Sequence, residues 1–460
     1  MSALAFIPSP PARPPLQTVS WDRFALPDPQ SVRLSNGLSV TMIQWGTVPK
    51  VLVSMVLRAG RADEGRERLW LRRLLGMWMI EGTHNRGADA VAAQAATMGG
   101  SIGLSFGEDL MEVSADVLTE WGPALVELMA DVLQQPLFPE RESARLKRAL
   151  VRKLEIQQSQ ARAVAHEAIR QVLYPGGSYG CIFPTSGALN SYGRTEVMDY
   201  YESCFVARRT HVCVIGRFDA AKMLDAIERN LGGWRSGTAP FVERPAESKE
   251  PVCRTIDRPG STQSTVLIGV PVAPPGSPGR VPLELANAML GGSFSSRITS
   301  NIREDKGYTY TCGSSLPTCC STSFWLEVAD VEPGATREAI RLILHEVDRF
   351  CQEPPTADEL MRAKAYTSGA LAISMSSRSG LLSCLKFDDL YHLGWRYPST
   401  YLAQIRDADV QDVCAAAARY LRSDRMSTVI VADLKELGEA PYMPASPRSV
   451  DDAGRAGNFT

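Results

Sequence analysis

The sequence predicts an α+β protein of two homologous domains, each an antiparallel-rich β-sheet with helices packed on one face. Three observations carry that prediction. The length of 460 residues exceeds what one ordinary core fills. A run of strand, turn and amphipathic helix recurs at an offset of about 215 residues, Leu125 against Ile340. The strands in that run alternate apolar and polar residues, as half-buried sheets do. Composition agrees, since 44% hydrophobic and 22% charged residues describe a folded chain rather than a disordered one.

In chain order, residues 1–30 hold seven prolines, from Pro8 to Pro29, and read as an extended lead-in rather than a signal peptide. The first domain, 31–235, has a strand over 51–57 and another ending in Ala115-Asp116-Val117. The latter runs into a helix whose Leu125, Leu128, Met129, Val132 and Leu133 share one face. A Pro-containing turn, a second charged helix and a closing strand over 211–216 complete it. Pro240, Pro245, Pro251 and Pro259 mark 236–260 as the linker. The second domain, 261–439, repeats the plan. It has a strand over 265–270, one ending in Ala329-Asp330-Val331, a helix with Ile340, Ile343, Leu344 and Val347 on one face, and a closing strand over 427–432. Residues 440–460 read as a polar tail.

Several function classes fall away on composition. A formal net charge of −2 offers no basic surplus for nucleic acid. The most apolar window, 69–80, is broken by Arg72 and Arg73 and is far shorter than the ~20 residues a membrane span needs. Ten cysteines, none before Cys181, lack the paired spacing of a zinc module and read as buried free thiols of a cytoplasmic protein. Five histidines (His84, His166, His211, His345 and His392) are few for imidazole chemistry, and no two have a metal-ligand spacing.

The local motifs are more specific. Leu34-Ser35-Asn36-Gly37-Leu38-Ser39-Val40 is followed by Arg58-Ala59-Gly60, Asp63-Glu64 and Glu81-Gly82-Thr83, then by Tyr174-Pro175-Gly176 and Tyr179-Gly180. The second half carries Leu290-Gly291-Gly292-Ser293-Phe294-Ser295-Ser296-Arg297, and then Arg303-Glu304-Asp305-Lys306-Gly307-Tyr308-Thr309-Tyr310. Over about residues 31–435 this pattern resembles the pitrilysin family of inverted zincins, which includes insulin-degrading enzyme and mitochondrial processing peptidase. The resemblance implies a helix carrying His-x-x-Glu-His between the Arg-Ala-Gly and Gly-Thr signatures, with two zinc-ligating histidines on one face and a glutamate that activates water. Here the five positions are Arg73-Leu74-Leu75-Gly76-Met77, so both ligands and the base are missing. Alignment back from Tyr174-Pro175-Gly176 puts the third ligand position at Lys153, with Glu155 as the competing register. Taken alone, Arg72 and Arg73 are two solvated charges on a helix with a core face. Met77 reads as core filler. Gly76 costs a helix interior about 1 kcal/mol against Ala and marks close packing where a catalytic side chain once projected. The chain is therefore expected to hold no metal and no cofactor of its own.

The same resemblance implies that Arg303 and Tyr310, seven residues apart after the Gly291-Gly292 turn, reach a zinc centre from the opposite domain. A guanidinium holds a carbonyl or carboxylate in a fixed fork, and a phenol stabilises an oxyanion. Read without the family, Arg303 is a surface ion pair and Tyr310 is packing. The turn lacks the Gly-Lys-Ser/Thr of a phosphate cradle. The expectation is thus a pseudoenzyme subunit of a heterodimeric zinc metallopeptidase. Its partner, a homologous chain with His-x-x-Glu-His, would hold the zinc. The substrate would be an unfolded peptide, as in precursor-peptide processing. A purely structural subunit and a homodimeric peptide-binding module are the competing readings.

Overall fold

The computed structural model describes residues 26–437 and 448–451. Six strands form the first sheet: β1 (Gln30–Arg33), β2 (Ser39–Gln44), β3 (Lys50–Leu57), β4 (Gly103–Phe106), β5 (Met111–Leu118) and β6 (Thr210–Gly216). They lie in the order β1-β2-β6-β3-β5-β4, and every neighbouring pair is antiparallel except β2 with β6. The second sheet repeats that plan with β7 (Val252–Asp257), β8 (Ser264–Pro271), β9 (Thr309–Ser315), β10 (Thr318–Cys319), β11 (Thr322–Val331), β12 (Ser427–Ala432) and β13 (Arg448–Asp451). In it β7, β12, β8 and β11 take the places of β2, β6, β3 and β5, while β9 pairs with β11 as β4 pairs with β5.

Two assignments made from the sequence change. The segment 236–260 is not all linker, because 252–257 is strand β7 of the second sheet, paired in parallel with β12. Pro251 and Pro259 bracket that strand. A proline cannot donate to the ladder, so these two mark its ends rather than a loop. Within the segment 440–460, Arg448–Asp451 adds to β7 as β13; the rest of that tail lies outside the described residues, as do residues 1–25 of the Pro-rich extension.

Each sheet carries its own domain's helices on one face. In the first core, Val53, Met55, Val113 and Ala115 meet Leu125, Leu128, Met129 and Leu133 of the helix Gly122–Gln134. In the second, Val266, Ile268, Trp325 and Ala329 meet Ile340, Ile343 and Val347 of Thr336–Gln352. The apolar faces read from the sequence are the buried ones.

The opposite faces are covered by exchange. Helix Ala161–Leu173 of the first half lays Ala165, Ile169 and Leu173 on Leu267, Phe324, Leu326 and Val431 of the second sheet. Helix Arg378–Tyr391 of the second half lays Leu381, Leu382 and Leu385 on Ile43, Val56, Cys213 and Ile215 of the first. The repeated Ala-Asp-Val triplets anchor both. Successive strand residues face opposite sides, so the alanine and valine of each triplet enter the domain's own core and the aspartate points at the visiting helix. Arg378 reaches Asp116 at 2.6 Å, and Arg162 reaches Asp330 at 2.7 Å. Lys386 with Glu112 at 2.8 Å and His211 with Asp389 at 2.7 Å add two further cross-domain pairs.

Among the described residues no helix is long and apolar enough to cross a membrane. All ten cysteines are free thiols; Cys204, Cys213, Cys253 and Cys319 are buried, while the other six are only half-buried.

Candidate functional site

Helix Leu71–Met79 carries the five positions where the family motif would lie. It follows Trp70, whose left-handed φ of 69° turns the chain into the helix and whose indole N–H donates to Ile182 O at 3.0 Å. Arg73 is half-buried, and among the described residues it has no ion-pair partner. Its guanidinium lies 5.3 Å from the Trp70 ring centre and 5.4 Å from that of Phe106, a cation held by two aromatic faces. Gly76 lies one turn further along. A Cβ there would come within 2.7 Å of Phe106 Cζ and 2.8 Å of Met111 Cε, so the glycine admits the Phe106 ring into the space beside the helix. Met77 is half-buried against the first core, as expected of filler.

Arg72 corrects the sequence reading more sharply. It is 3% exposed, and its Nε lies 3.4 Å from Oε2 of Glu64, itself 3% exposed. The Arg72 backbone N–H donates to the other Glu64 oxygen at 3.0 Å. Burial lifts the Glu64 carboxyl above its usual range even though Arg72 draws it back. Lys153 sits exposed on helix Glu140–Gln158, near enough to Arg73 that burial and then the Arg73 charge depress its amine. Glu155, two residues on, is also exposed. Burial opposes ionisation of Glu108, but Arg170 and Arg61, at 3.1 and 2.6 Å, overcome it and hold the carboxyl down at about 2.

These groups do not fit Zn²⁺. The positions that the sequence aligns with the ligands and base bring a guanidinium, a glycine and a thioether, with the Lys153 ammonium or the Glu155 carboxylate as the fourth according to register, where a catalytic zinc needs three imidazole or carboxylate donors. Among the described residues no three His, Cys, Asp or Glu side chains converge in a way that could hold a metal.

The second-half element stands in solvent. The chain leaves helix Arg280–Asn287 through a wide turn, Ala288–Gly292, passes the polar 293–298 segment, and winds through Thr299–Asp305 into β9. Arg303 and Tyr310 are brought together: the guanidinium lies 5.0 Å from the Tyr310 ring centre and 4.5 Å from that of Phe294. Tyr310 is 82% exposed and Phe294 67%, so neither ring is packing for a core. Glu304, 3.3 Å from Arg303 Nε, is the surface ion pair. Phe294 is the member that sequence reasoning passed over; a lone aromatic within Gly-Gly-Ser-Phe-Ser-Ser was the available signal.

The glycine turn earns its residues by close approach. A Cβ on Gly291 would lie 2.5 Å from Ser314 Oγ and 2.6 Å from Glu327 Oε2, and one on Gly292 would lie 2.5 Å from Asn287 Nδ2. The Glu327 carboxyl is fully buried beneath the turn and is pushed well above its usual range by that burial, against a small opposing pull from the Gly313 N–H. Among the described residues β9 pairs only with β11, which leaves its outer edge open.

Comparisons with known proteins show which family and fold the chain resembles. The family described as "Insulinase (Peptidase family M16)" matches residues 40–181, and "Peptidase M16 inactive domain" matches 191–366. The chain is 21% identical over 350 residues to the zinc protease YmxG of Bacillus subtilis, covering 76% of this chain and 85% of that one. It is 21% identical over 410 residues to the zinc protease Rv2782c of Mycobacterium tuberculosis, covering 88% and 93%. Among solved structures, a peptidase M16 inactive domain from Pseudomonas fluorescens superposes with a TM-score of 0.82 at 20% identity, covering 91% of this chain and all of the other. A protease from Helicobacter pylori gives 0.83 at 16%, covering 89% and 100%.

Proposed function

Because the chain belongs to the M16 (insulinase) peptidase family, we propose that it is the non-catalytic subunit of a heterodimeric zinc metallopeptidase. One contrast carries this reading. The zinc positions are filled by a stacked cation and an intruding ring, whereas Phe294 and Tyr310, the two rings that flank Arg303, stand in solvent. A homologous partner with His-x-x-Glu-His supplies the metal and activates the water. This chain holds the peptide: Arg303 forks onto a carbonyl or carboxylate, the Tyr310 O–H donates to the oxygen where charge develops, and the open β9 edge accepts the backbone as an added strand. The substrate class is an unfolded peptide, and maturation of a precursor peptide is the role that suits it.

The test is co-expression with a sister chain that has the intact motif. Zinc and peptide cleavage are expected in the complex and not in the lone chain. With assembly unchanged, Tyr310→Phe should lower kcat/KM of the complex by about a hundredfold. Stoichiometric zinc or cleavage in the lone chain refutes the proposal, as does full activity of complexes carrying Arg303→Ala and Tyr310→Phe.

A further inference from the structure

Behind the glycine turn lies a cavity of about 610 Å³, within the ~300–1,000 Å³ of ordinary ligand pockets. It opens between helices Ala357–Ser374 and Arg378–Tyr391, beside the end of β9. Its walls are apolar and aromatic: Leu316, Tyr366, Leu371, Phe387 and Tyr397. Phe387 and Tyr397 stack with ring centres 5.8 Å apart. Three charged residues line it, and each has a protein partner; Asp388 accepts from the Gly394 N–H at 2.6 Å. Arg280 pairs with Glu284 at 2.7 Å, and the Tyr401 hydroxyl donates to the other Glu284 oxygen. A recess whose walls are mainly aromatic and aliphatic, with its few charges engaged by protein groups, suits an apolar group better than an ion.

The recess is linked to the Arg303 cluster through shared walls. A smaller hollow of about 270 Å³ shares Ala288 and Tyr366 with it and is bounded on its far side by Ser293, Phe294 and Ser295. Phe294 in turn covers Arg303. The strand fixes the relation more closely. Tyr310 meets Arg303, Cys312 meets Thr299 and Ser314 meets Asn287, so these contacts put residues 310, 312 and 314 on one face of β9 even though the ladder to β11 bulges at Tyr310. Ser314, Asn287 and Gly292 line the cavity. Arg303 and the cavity therefore lie on the same face of an open edge strand, four residues apart, or about 13 Å.

We propose that this cavity takes one apolar side chain of the bound peptide, four residues along from the residue held at Arg303 and Tyr310. The inference rests on the peptide-holding role proposed above and adds a spacing rule to it. A peptide added along β9 presents alternate side chains to the same face, so the spacing must be even.

The experiment uses the full chain and fluorescein-labelled Ser/Thr peptides carrying one Asp for Arg303 and one Phe moved stepwise away on either side. Fluorescence anisotropy should give the tightest binding with Phe four positions from Asp. Phe→Ala at that position should cost about ten- to hundredfold in affinity. Ala370→Trp fills the cavity from the exposed side of its wall, and should abolish the advantage of Phe while leaving the Phe-free peptide unchanged. Ser383→Phe fills it from the opposite helix and serves if the first variant melts early. Affinity independent of Phe position, or filled variants that still favour Phe, overturns the cavity assignment. In that case a continuing loss on Arg303→Ala shows the peptide-holding role to be intact. Absence of any peptide binding, or binding indifferent to Arg303→Ala, overturns both.

Discussion

Arg72→Met separates a buried Arg72 from a solvated one, and the buried geometry makes its cost depend on pH. The guanidinium and the Glu64 carboxyl are each 3% exposed, with Nε and Oε2 3.4 Å apart. Methionine replaces most of the aliphatic stem, so little packing is lost. What remains is an unpaired buried carboxyl. It can stay ionised at about 3–5 kcal/mol, or take up a proton at about 1.4 kcal/mol for each pH unit above its unfolded value. The cheaper route governs. Burial already raises the folded pKa of Glu64 above 4.5, so this group favours folding most below pH 4.5 and loses that contribution as pH rises towards the folded pKa. Removing Arg72 raises the folded pKa further and extends the loss to higher pH. The penalty relative to the parent chain should be under about 1 kcal/mol at pH 5 and should reach about 3 kcal/mol by pH 8. Urea unfolding at pH 5, 6.5 and 8 measures it, and Glu64→Gln/Arg72→Met should remove the added slope. A penalty constant with pH, or below about 0.5 kcal/mol at pH 8, would refute the buried pair.

Two further outcomes follow from the same structure. His211, bonded to Asp389 at 2.7 Å and to Thr41 at 2.8 Å, is opposed by burial but raised by Cys213 and Asp389 to about 11. Its stabilisation is therefore complete below pH 6.5 and declines from there towards pH 11, and His211→Gln should flatten the fall in unfolding free energy between pH 7 and 9. Gly76→Ala gains about 1 kcal/mol of helix propensity but drives a Cβ within 2.7 Å of Phe106 Cζ, an overpacking cost of about 1–3 kcal/mol. Thermal melts should show net destabilisation, and in a Phe106→Ala background the same change should stabilise; stabilisation in the parent chain would contradict the wedged ring.

The fold was legible because its signals were local. Leu125 to Leu133 and Ile340 to Val347 announce their helices, and the Ala-Asp-Val triplets announce the repeat. The exchange of helices was not legible. Leu381 and Ile169 look like any core-facing residues, and no period in the sequence says whose core they face. The strand Val252–Asp257 is masked in the sequence by its flanking prolines, which signal a loop as readily as strand ends. At the site, the spacing of Arg303 and Tyr310 could be read, but their stacking with Phe294 joins segments that meet only after folding. The burial of Arg72 is not legible because an arginine on a helix is usually exposed, and its partner Glu64 lies on a separate short helix.

The exchanged helices also impose a delay during synthesis. The outer face of the first sheet, with Ile43, Val56, Cys213 and Ile215, is complete once β6 has been made. Its cover, Arg378–Tyr391, is encoded far downstream, and at ribosomal speeds it arrives roughly ten to thirty seconds later. During that interval the nascent first domain shows an apolar sheet face to solvent and to chaperones, and its closing contact is set by translation of the second domain rather than by its own folding rate.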